Sequence, residues 1–239
     1  MNQKKFAVVI PCYNEEKRLD THAFSSFIQE HPEVKFIFAD DGSTDNTAEV
    51  LRILCQSGEA EFFPLTVNSG KAEAVRQGIL HANSIGSFDF IGFWDADLAT
   101  SLDELTRMTN TIEEKTIYIS GCRLLRLGGA IQRKLSRHIL GRSFATAVSV
   151  HLDLPVYDTQ CGAKLYKQEC ISTVFARPFI TRWFFDVEIL RRLINFYGRE
   201  RVLTDSIEMP LYRWLDVEGS KLRYLSCLKD FIKLLTSKN

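Results

Sequence analysis

The stretch "FDFIGFWDADLAT" (residues 88–100) joins an apolar run to two aspartates that are one residue apart. Its first seven residues have the length and the aromatic content of a buried strand. Acidic side chains at the end of such a strand are costly unless positive charge compensates them, so Asp95 and Asp97 indicate a site for a cation. A divalent ion bridged by phosphates is one interpretation. A pair of solvated turn aspartates is the other.

On both sides of that stretch, short apolar runs alternate with helical patterns. Strands are predicted at 5–10, 34–39, 61–67, 88–94 and 116–120, and helices at 16–29, 44–56, 70–83 and 101–114. The last of these helices has a capping-box spacing at its start, formed by Ser101 and Glu104. The alternation predicts an α/β fold with a mainly parallel, doubly wound sheet and helices on both faces.

The second half of the chain has a less regular pattern. It contains a long helical region at 131–150, an extended stretch at 157–167, an amphipathic helix at 184–197, a strand near 201–209 and a C-terminal helix at 224–236. No internal repeat, low-complexity tract or flexible linker interrupts the sequence. We therefore expect a single domain over residues 1–239.

The composition is that of a soluble globular protein, with 45% hydrophobic and 25% charged residues among 239. The formal net charge is zero, which does not favour nucleic acid as a partner. No apolar run approaches the roughly 18–20 residues of a spanning helix. The N-terminal stretch has the pattern of a first strand rather than a signal peptide. Six scattered cysteines without a CxxC pair predict reduced thiols and a cytoplasmic protein.

Polar clusters follow three of the predicted strands: "PCYNEE" (11–16), "DDGSTDNT" (40–47) and "DADLAT" (95–100). Ligands of parallel sheets bind at the carboxyl ends of the strands. Asp40 and Asp41 exceed what helix capping requires, so a carboxylate there is a candidate acceptor for a nucleobase or ribose hydrogen bond. In "NSGKAEAVRQGI" (68–79), Lys71 and Arg76 are candidate phosphate contacts or solvated helix charges; the stretch is not a Walker A sequence.

The segment 121–152 carries six arginine and lysine residues and no acid. Leucines and isoleucines alternate with these cations, which is typical of a basic amphipathic segment. It would contact an anionic membrane surface or bind phosphates; a solvated helix face is the alternative. Further along, Asp158, Asp186 and Glu188 lie among apolar residues, so each is a candidate for catalysis or for a structural hydrogen-bond role.

Eight motifs, taken together and in this order, carry a resemblance to a known family. They are "VVIPCYNEEKRL", "FADDGSTDNT", "NSGKAEAVRQGI", "FWDADLAT", "SGCR", "DTQCGAKLY", "RWFFDVEIL" and "VEGSKL". The chain resembles the family-2 inverting glycosyltransferases with the GT-A fold, and most of all the dolichyl-phosphate β-glucosyltransferases and related polyprenyl-phosphate sugar transferases. The likeness spans nearly the whole chain. It implies a nucleotide-sugar-binding half at 1–120 and an acceptor-binding half at 121–239.

The resemblance also implies roles for individual residues. On the donor side, a uridine pocket is framed by Pro11, Tyr13, Glu15 and Asp41, with Asp40 close by and Lys71 near the nucleotide. Asp95 is placed by the ribose and the metal, and Asp97 is the main protein ligand of Mg²⁺ or Mn²⁺. On the acceptor side, Arg123, Arg133 and Arg137 face the diphosphate and the acceptor phosphate, and Asp158 and Asp186 lie around the reacting sugar.

The function expected from these residues is transfer of a hexose from a UDP-sugar, with inversion, to a polyprenyl phosphate. The acid-free segment favours a phosphate acceptor, because holding two anionic groups together requires cations. Glucose is favoured through the resemblance alone. We further expect peripheral contact with the inner face of a membrane through 123–142. The oligomeric state is not predicted.

Three alternatives stay open at this point. A family-2 enzyme acting on a saccharide hydroxyl would need a general base, for which Asp158 and Asp186 are the candidates. A nucleotidyltransferase on a similar sheet is disfavoured because no glycine-rich, arginine-containing loop follows the first strand. A non-catalytic sugar-nucleotide sensor is disfavoured by the acids after all three strands.

Overall fold

Nine strands and eight α-helices make up the regular structure that a computed structural model describes, over residues 3–132 and 135–215 and without the side chains of 135–137 and 140. The strands are β1 (Phe6–Cys12), β2 (Val34–Asp40), β3 (Glu61–Pro64), β4 (Phe90–Trp94), β5 (Tyr118–Cys122), β6 (Ala130–Gln132), β7 (Ala163–Lys167), β8 (Ser206–Pro210) and β9 (Arg213–Leu215). The helices are α1 (Thr21–Glu30), α2 (Thr47–Leu54), α3 (Lys71–Ile85), α4 (Leu102–Thr111), α5 (Leu135–Leu152), α6 (Ile171–Val174), α7 (Phe185–Tyr197) and α8 (Arg199–Asp205).

The described residues form two compact units. The first unit comprises 3–98 and 163–178, and the second comprises 99–132, 135–162 and 179–215. The predicted nucleotide-sugar-binding and acceptor-binding halves, at 1–120 and 121–239, are defined by ligands rather than by contacts, and they stay a prediction.

The first unit is built on a sheet whose strands run in the order β3-β2-β1-β4-β7. All neighbouring pairs are parallel except β4 with β7. Both β1 ("FAVVIPC") and β2 ("VKFIFAD") are nearly continuous apolar runs, as expected of strands that are covered on both faces. Their residues Val8, Val9 and Phe36 have no exposed surface. The mainly parallel α/β fold predicted from the sequence is confirmed.

Gly92, at the centre of β4, allows the antiparallel strand β7 to approach closely. A β-carbon at this position would lie 1.8 Å from the carbonyl oxygen of Lys164, so any side chain would push the two strands apart. The register pairs Gly92 with Leu165 and Trp94 with Ala163. Strand β4 is therefore held between β1 and β7, which defines the point at which the following aspartates leave the sheet.

The second unit contains two parallel strand pairs. β5 pairs with β8 from Tyr118 opposite Ser206 to Cys122 opposite Pro210, and β6 pairs with β9. Backbone hydrogen bonds connect these pairs within the unit: the Leu211 N–H donates to the Cys122 carbonyl at 2.9 Å, and the Ala130 N–H donates to the Tyr212 carbonyl at 2.7 Å. The chain from 206 to 215 thus contacts both β5 and β6.

The predicted strand near 201–209 is wrong in its first half. Gly198 has a φ of 83° and ends α7, and a second helix, α8, begins directly at Arg199. The strand β8 starts only at Ser206. A glycine in the left-handed region stops one helix without preventing the next residue from starting another, and the apolar spacing of this short segment does not reveal which occurs.

The capping box predicted at the start of α4 is also wrong, although the helix does begin at Leu102. Ser101 makes no side-chain capping hydrogen bond. Glu104 is only 2% exposed and accepts hydrogen bonds from the Tyr212 N–H at 2.6 Å and the Arg213 N–H at 3.1 Å. It also bonds Arg107. A distant backbone segment thus takes the carboxylate that local spacing assigned to the helix start. The predicted C-terminal helix at 224–236 lies outside the described residues.

Candidate active site

Three polar loops follow the carboxyl ends of β1, β2 and β4 in the first unit. These strands are parallel neighbours, so their carboxyl ends lie along one edge of the sheet. The two aspartates after β4 are half-buried and flank a turn in which the Leu98 N–H donates to the Asp95 carbonyl at 3.3 Å. Leu98 has a φ of 50°, a conformation that a leucine rarely adopts. The turn places two carboxylates at the edge where parallel sheets bind ligands.

A lysine ammonium already neutralises part of this acidic turn. The Nζ atom of Lys71, at the first position of α3, donates to a carboxylate oxygen of Asp95. The same Nζ lies 5.9 Å from the centre of the Phe93 ring, and the Nζ of Lys164 lies 5.6 Å from that centre. Asp95 therefore occupies a position where the protein itself supplies positive charge. Two of the predicted donor residues, Lys71 and Asp95, are thus in direct contact.

Asp41 anchors the loop that leads into α3. Its carboxylate is 2% exposed and accepts hydrogen bonds from the Ser69 N–H at 2.8 Å and the Gly70 N–H at 2.7 Å. Because Lys71 is the next residue, Asp41 also positions the lysine that contacts Asp95. Asp40 is buried as well and accepts hydrogen bonds from the backbone N–H and the hydroxyl of Ser43. Their predicted contacts with uridine stay a prediction.

Gly42, directly after Asp41, lies against the loop before α3 and has a φ of +66°. A β-carbon there would lie 2.9 Å from the Asn68 backbone nitrogen. We expect Gly42→Ala to lower the free energy of unfolding by about 1–3 kcal/mol through backbone strain alone, and by more through this contact. Gly58→Ala is the matched control, since Gly58 has a φ of +78° but no atom within 4 Å of the added carbon. Urea denaturation of both variants measures the difference; equal losses would contradict the contact.

The end of β1 and the loop after it hold the remaining predicted donor residues. Pro11 lies in the strand, Tyr13 and Glu15 lie in the loop, and all three are half-buried. Glu15 forms an ion pair with Arg18 at 2.6 Å. Asn14, between Tyr13 and Glu15, has a φ of 54°. Its side-chain oxygen accepts a hydrogen bond from the Thr44 N–H at 2.8 Å, and its own N–H donates to the Ser43 hydroxyl at 3.0 Å. Asn14 thus connects the β1 and β2 loops. Sequence reasoning passed over it, although asparagine is a residue type that tolerates positive φ.

In the second unit, Arg123 and Asp158 form a buried, bidentate ion pair. The Arg123 Nε and Nη2 atoms donate to Asp158 at 2.6 Å and 2.8 Å. Asp158 also accepts the backbone N–H groups of Arg123 and Gln160, each at 3.1 Å. The carboxylate thus accepts four hydrogen bonds, which leaves it poorly suited to take a proton from a substrate.

Glu208, which the sequence analysis did not identify, holds the backbone on which Asp158 lies. Its carboxylate accepts hydrogen bonds from the Tyr157 N–H at 2.7 Å and from the Asp158 N–H. Burial raises the pKa of Glu208, and the two backbone hydrogen bonds oppose that shift. Its position in a strand, preceding Met209 and Pro210, shows no periodicity that would have marked it. Only the fold brings β8 and the Asp158 loop together.

A cavity of about 40 Å³ adjoins the pair in the second unit, lined by Arg123, Arg142, Phe144, Tyr157, Asp158 and Gln160 among others. Arg142 donates to the Tyr157 carbonyl at 2.8 Å, and its guanidinium lies 3.5 Å from the centre of the Tyr157 ring. The buried amide nitrogen of the Gln160 side chain has no hydrogen-bond partner within the described part of the chain. Against the single carboxylate of Asp158, which pairs with Arg123, the Arg142 guanidinium and the Gln160 amide leave the lining with excess positive charge and a free donor, which suits an anion.

The remaining predicted acceptor residues are less fully defined. Asp186 lies in the first turn of α7 and is 7% exposed. Burial raises the pKa of Tyr118 well above its usual value, and the charges of Asp186 and Glu208 contribute to that rise. Arg133 lies outside the described residues. Arg137 falls within α5, but its side chain is not described. The roles of these residues around the acceptor stay predictions.

Three general features concern residues 3–132 and 135–215. In this range, no cluster of three or more His, Cys, Asp or Glu side chains could hold a metal ion without other ligands. Cys12, Cys55, Cys122, Cys161 and Cys170 are free thiols. No helix in this range has the length and apolar character needed to cross a membrane.

The fold and these strand-end carboxylates define a class: α/β enzymes of the GT-A type. The model of glycosyl transferase family 2 matches residues 7–175. The chain belongs to this family, and it is a glycosyltransferase.

Relatives with curated functions point in the same direction. The chain is 30% identical to the dolichyl-phosphate β-glucosyltransferase of Saccharomyces cerevisiae, an alignment that covers 90% of this chain and 68% of the yeast protein. It is 29% identical to the dolichyl-phosphate β-glucosyltransferase of Homo sapiens, over 92% of this chain and 70% of the human protein. The resemblance to this family stated from the motifs is confirmed.

Among solved structures, glucosyl-3-phosphoglycerate synthase from Mycobacterium tuberculosis, in complex with Mn²⁺, UDP and glucosyl-3-phosphoglycerate, is similar with a TM-score of 0.64. The match covers 99% of this chain and 81% of that protein at 18% identity. At this identity the similarity shows the fold, and it confirms the predicted GT-A architecture.

Proposed function

We propose that the protein transfers a hexose, with inversion, from a UDP-sugar to a polyprenyl phosphate of the dolichyl type. Glucose is the proposed sugar, because the relatives aligned over most of the chain are named dolichyl-phosphate β-glucosyltransferases. The reaction would take place at a membrane surface, where a polyprenyl lipid resides. A cytoplasmic location of the protein stays a prediction.

The observation that carries the choice of acceptor is the state of Asp158. A sugar hydroxyl needs a general base to remove its proton, and Asp158 was one of two candidates. Its carboxylate instead accepts two hydrogen bonds from Arg123 and two from backbone N–H groups. A phosphate monoester has a second pKa of roughly 6 and is mostly dianionic at neutral pH, so it attacks without a strong base. This arrangement favours a phosphate acceptor.

The second unit also offers positive charge for that acceptor. The anion-suited cavity between Arg123 and Arg142, with the Gln160 amide in its wall, supports a phosphate site there. Arg133 and Arg137 are proposed to contribute to binding of the diphosphate or the acceptor phosphate. In this proposal Asp158 acts by orienting Arg123 rather than by removing a proton.

The donor would bind at the carboxyl edge of the first unit. We propose that Pro11, Tyr13, Glu15, Asp40 and Asp41 surround the uridine and that Asp95 lies near the ribose. The positions of these residues at or just beyond the carboxyl ends of β1, β2 and β4 support that assignment. Because Asp41 and Asn14 fasten the loops to one another through backbone hydrogen bonds, the pocket would be formed before the nucleotide arrives.

The residues present fit a divalent ion, Mg²⁺ or Mn²⁺, at Asp97 and Asp95. Two half-buried carboxylates lie on one turn, and one of them already binds the Lys71 ammonium. Hard divalent cations prefer such oxygen ligands and commonly complete their coordination with substrate phosphates. A bound ion of this kind stabilises the negative charge that develops on the UDP leaving group.

Lys71 and such an ion would compete for Asp95. We expect Lys71→Met to strengthen Mn²⁺ binding to the nucleotide-free protein by about fivefold at most, since a partly exposed ion pair contributes roughly 0–1 kcal/mol. The same variant should bind UDP more weakly if the ammonium contacts phosphate. Titration calorimetry measures both affinities. Lys35→Met removes a lysine that bonds the Gly58 carbonyl instead, and it serves as the control. Weaker Mn²⁺ binding by Lys71→Met would contradict the competition.

Release of UDP tests the proposed function most directly. The purified protein is incubated with a panel of UDP-sugars, with and without a polyprenyl phosphate and with and without a divalent ion. We expect UDP-glucose turnover that requires both additions. Turnover with saccharide hydroxyl acceptors and none with lipid phosphate would replace the proposal with a saccharide-extending family-2 enzyme.

A further inference from the structure

The connection between β5 and β6 exposes leucine side chains to an unusual degree. This β5–β6 turn, residues 123–129, has the sequence "RLLRLGG". Leu127 is 99% exposed and Leu125 is 42% exposed. A single exposed leucine on a protein surface needs no explanation. Two exposed leucines within three residues of one turn form a small apolar projection.

The β5–β6 turn is held by backbone hydrogen bonds. The Gly129 N–H donates to the Arg126 carbonyl at 3.2 Å, which closes a tight turn around Leu127. The next residue, Ala130, donates to the Tyr212 carbonyl at 2.7 Å and begins β6, which pairs with β9. Leu127 is therefore presented to solvent by an ordered backbone.

Aromatic and charged side chains brace the base of the turn. The Tyr212 ring has the Arg107 guanidinium 3.6 Å from its centre and the Arg126 guanidinium 5.3 Å from it. The Tyr212 N–H is bound in turn by the buried carboxylate of Glu104. Arg126 is thus held beside Tyr212, while its neighbour Leu127 projects beyond it.

We infer that the β5–β6 turn inserts Leu125 and Leu127 into the surface of a lipid bilayer that carries anionic head groups. The charge near the turn selects this occupant, because the Arg107 and Arg126 guanidinium groups both lie against the Tyr212 ring at its base and residues 121–152 contain no acid. A neighbouring protein surface would not in general require so uniform a sign. In such a surface the leucines would contact the acyl chains, and the neighbouring cations would contact the head-group phosphates above them.

The depth of insertion follows from the backbone of the turn. Irregular backbone does not lie exposed within the hydrocarbon core, because its polar groups would lose their hydrogen bonds. The turn would therefore reach the boundary between head groups and acyl chains, with Arg126 extending its charge back toward the phosphates. Arg123, at the start of the same turn, would then lie near the head-group level, where a lipid phosphate is presented. In this respect the inference rests on the proposed polyprenyl phosphate acceptor.

Vesicle flotation tests the insertion without donor or acceptor substrate. The vesicles contain phosphatidylcholine with or without phosphatidylglycerol. Leu127→Ser should reduce partitioning onto the anionic vesicles by about tenfold or more, the amount expected from losing burial of one leucine side chain. Val67→Ser is the matched control, since Val67 is 66% exposed but belongs to the first unit. Leu127→Trp should keep binding, and brominated lipids should quench the added indole.

Each outcome bears on the insertion separately from the proposed reaction. Loss of flotation in Leu127→Ser with retained binding in Val67→Ser supports the inference. Equal flotation of the two variants, or no flotation of the unmodified protein, overturns it, as does an added indole that brominated lipids do not quench. Turnover with a short, detergent-dissolved polyprenyl phosphate is measured in parallel. If Leu127→Ser retains this turnover, the reaction stands whether or not the turn inserts; if the unmodified protein lacks it, the proposed function fails instead.

Discussion

Replacing Asp97 with alanine should lower turnover with UDP-glucose and polyprenyl phosphate on the order of a thousandfold, the equivalent of about 4 kcal/mol of transition-state stabilisation. Asp97 lies on the turn after β4, and β1 and β7 hold the end of that strand in place through their pairing with it. The loss is expected because the charge that develops on UDP would no longer be stabilised by a divalent ion held at this carboxylate.

The effect should be specific to the strand-end carboxylate. Asp103, an exposed aspartate in the first turn of α4, gives the control variant Asp103→Ala, which should retain full turnover. Titration with Mn²⁺ in the presence of UDP should show weakened ion binding by Asp97→Ala and unchanged binding by Asp103→Ala. Full metal-dependent turnover by Asp97→Ala would show that the ion is held elsewhere.

Breaking the Arg123–Asp158 pair should cost about 3–5 kcal/mol of the free energy of unfolding, since it leaves an uncompensated charge in a buried site. The two side chains are only 13% and 8% exposed and meet through two short hydrogen bonds. Asp158→Asn and Arg123→Met are the single variants. Urea denaturation of both, and of the double variant, measures the coupling energy. The double variant should be more stable than the sum of the two single losses predicts.

Activity distinguishes positioning from proton transfer at Asp158. If Asp158 holds Arg123 for a phosphate acceptor, Asp158→Asn should lower turnover without removing a pH-dependent step from the rate profile. Loss of the fall in rate at low pH, where a carboxylate base becomes protonated, would instead assign Asp158 as a general base.

The control for this pair is Glu73→Gln. Glu73 forms a comparable bidentate pair with Arg76 at 2.8 Å and 2.7 Å in the first unit. Hydrogen bonding to Arg76 lowers the pKa of Glu73. The stability that this pair contributes is therefore present above the unfolded pKa and is lost as the pH falls through the lower folded value. At neutral pH Glu73→Gln should reduce stability while turnover is retained.

Features that depend on neighbouring residues in the sequence were predicted well. The run before Asp95 is apolar over a length that suits only a strand or a short buried segment, and alternation with helices selected the strand. The acids after β1, β2 and β4 were expected at one edge because parallel strands share their carboxyl ends. The motifs around them sufficed to identify the family.

Residues whose partners are distant in sequence were predicted poorly. Glu104 had the spacing of a capping residue, yet it binds backbone 108 positions away at Tyr212. Asp158 was a candidate base until Arg123, 35 positions earlier, was found bound to it. Glu208 had no signal at all, and its role arises from contact with a loop 50 positions away.

The sequence by itself determined the alternation of strands and helices, the acidic ends of β1, β2 and β4, and the basic, leucine-containing segment that follows β5. Each is a property of neighbouring residues, since side-chain periodicity and strand direction require no knowledge of distant contacts. The tertiary structure alone decided which carboxylates are occupied by partners, that Lys71 contacts Asp95, and that Leu127 projects from a braced turn. Hydrogen bonds and burial act over a few ångströms in space, and only the folded chain brings residues far apart in sequence within that range.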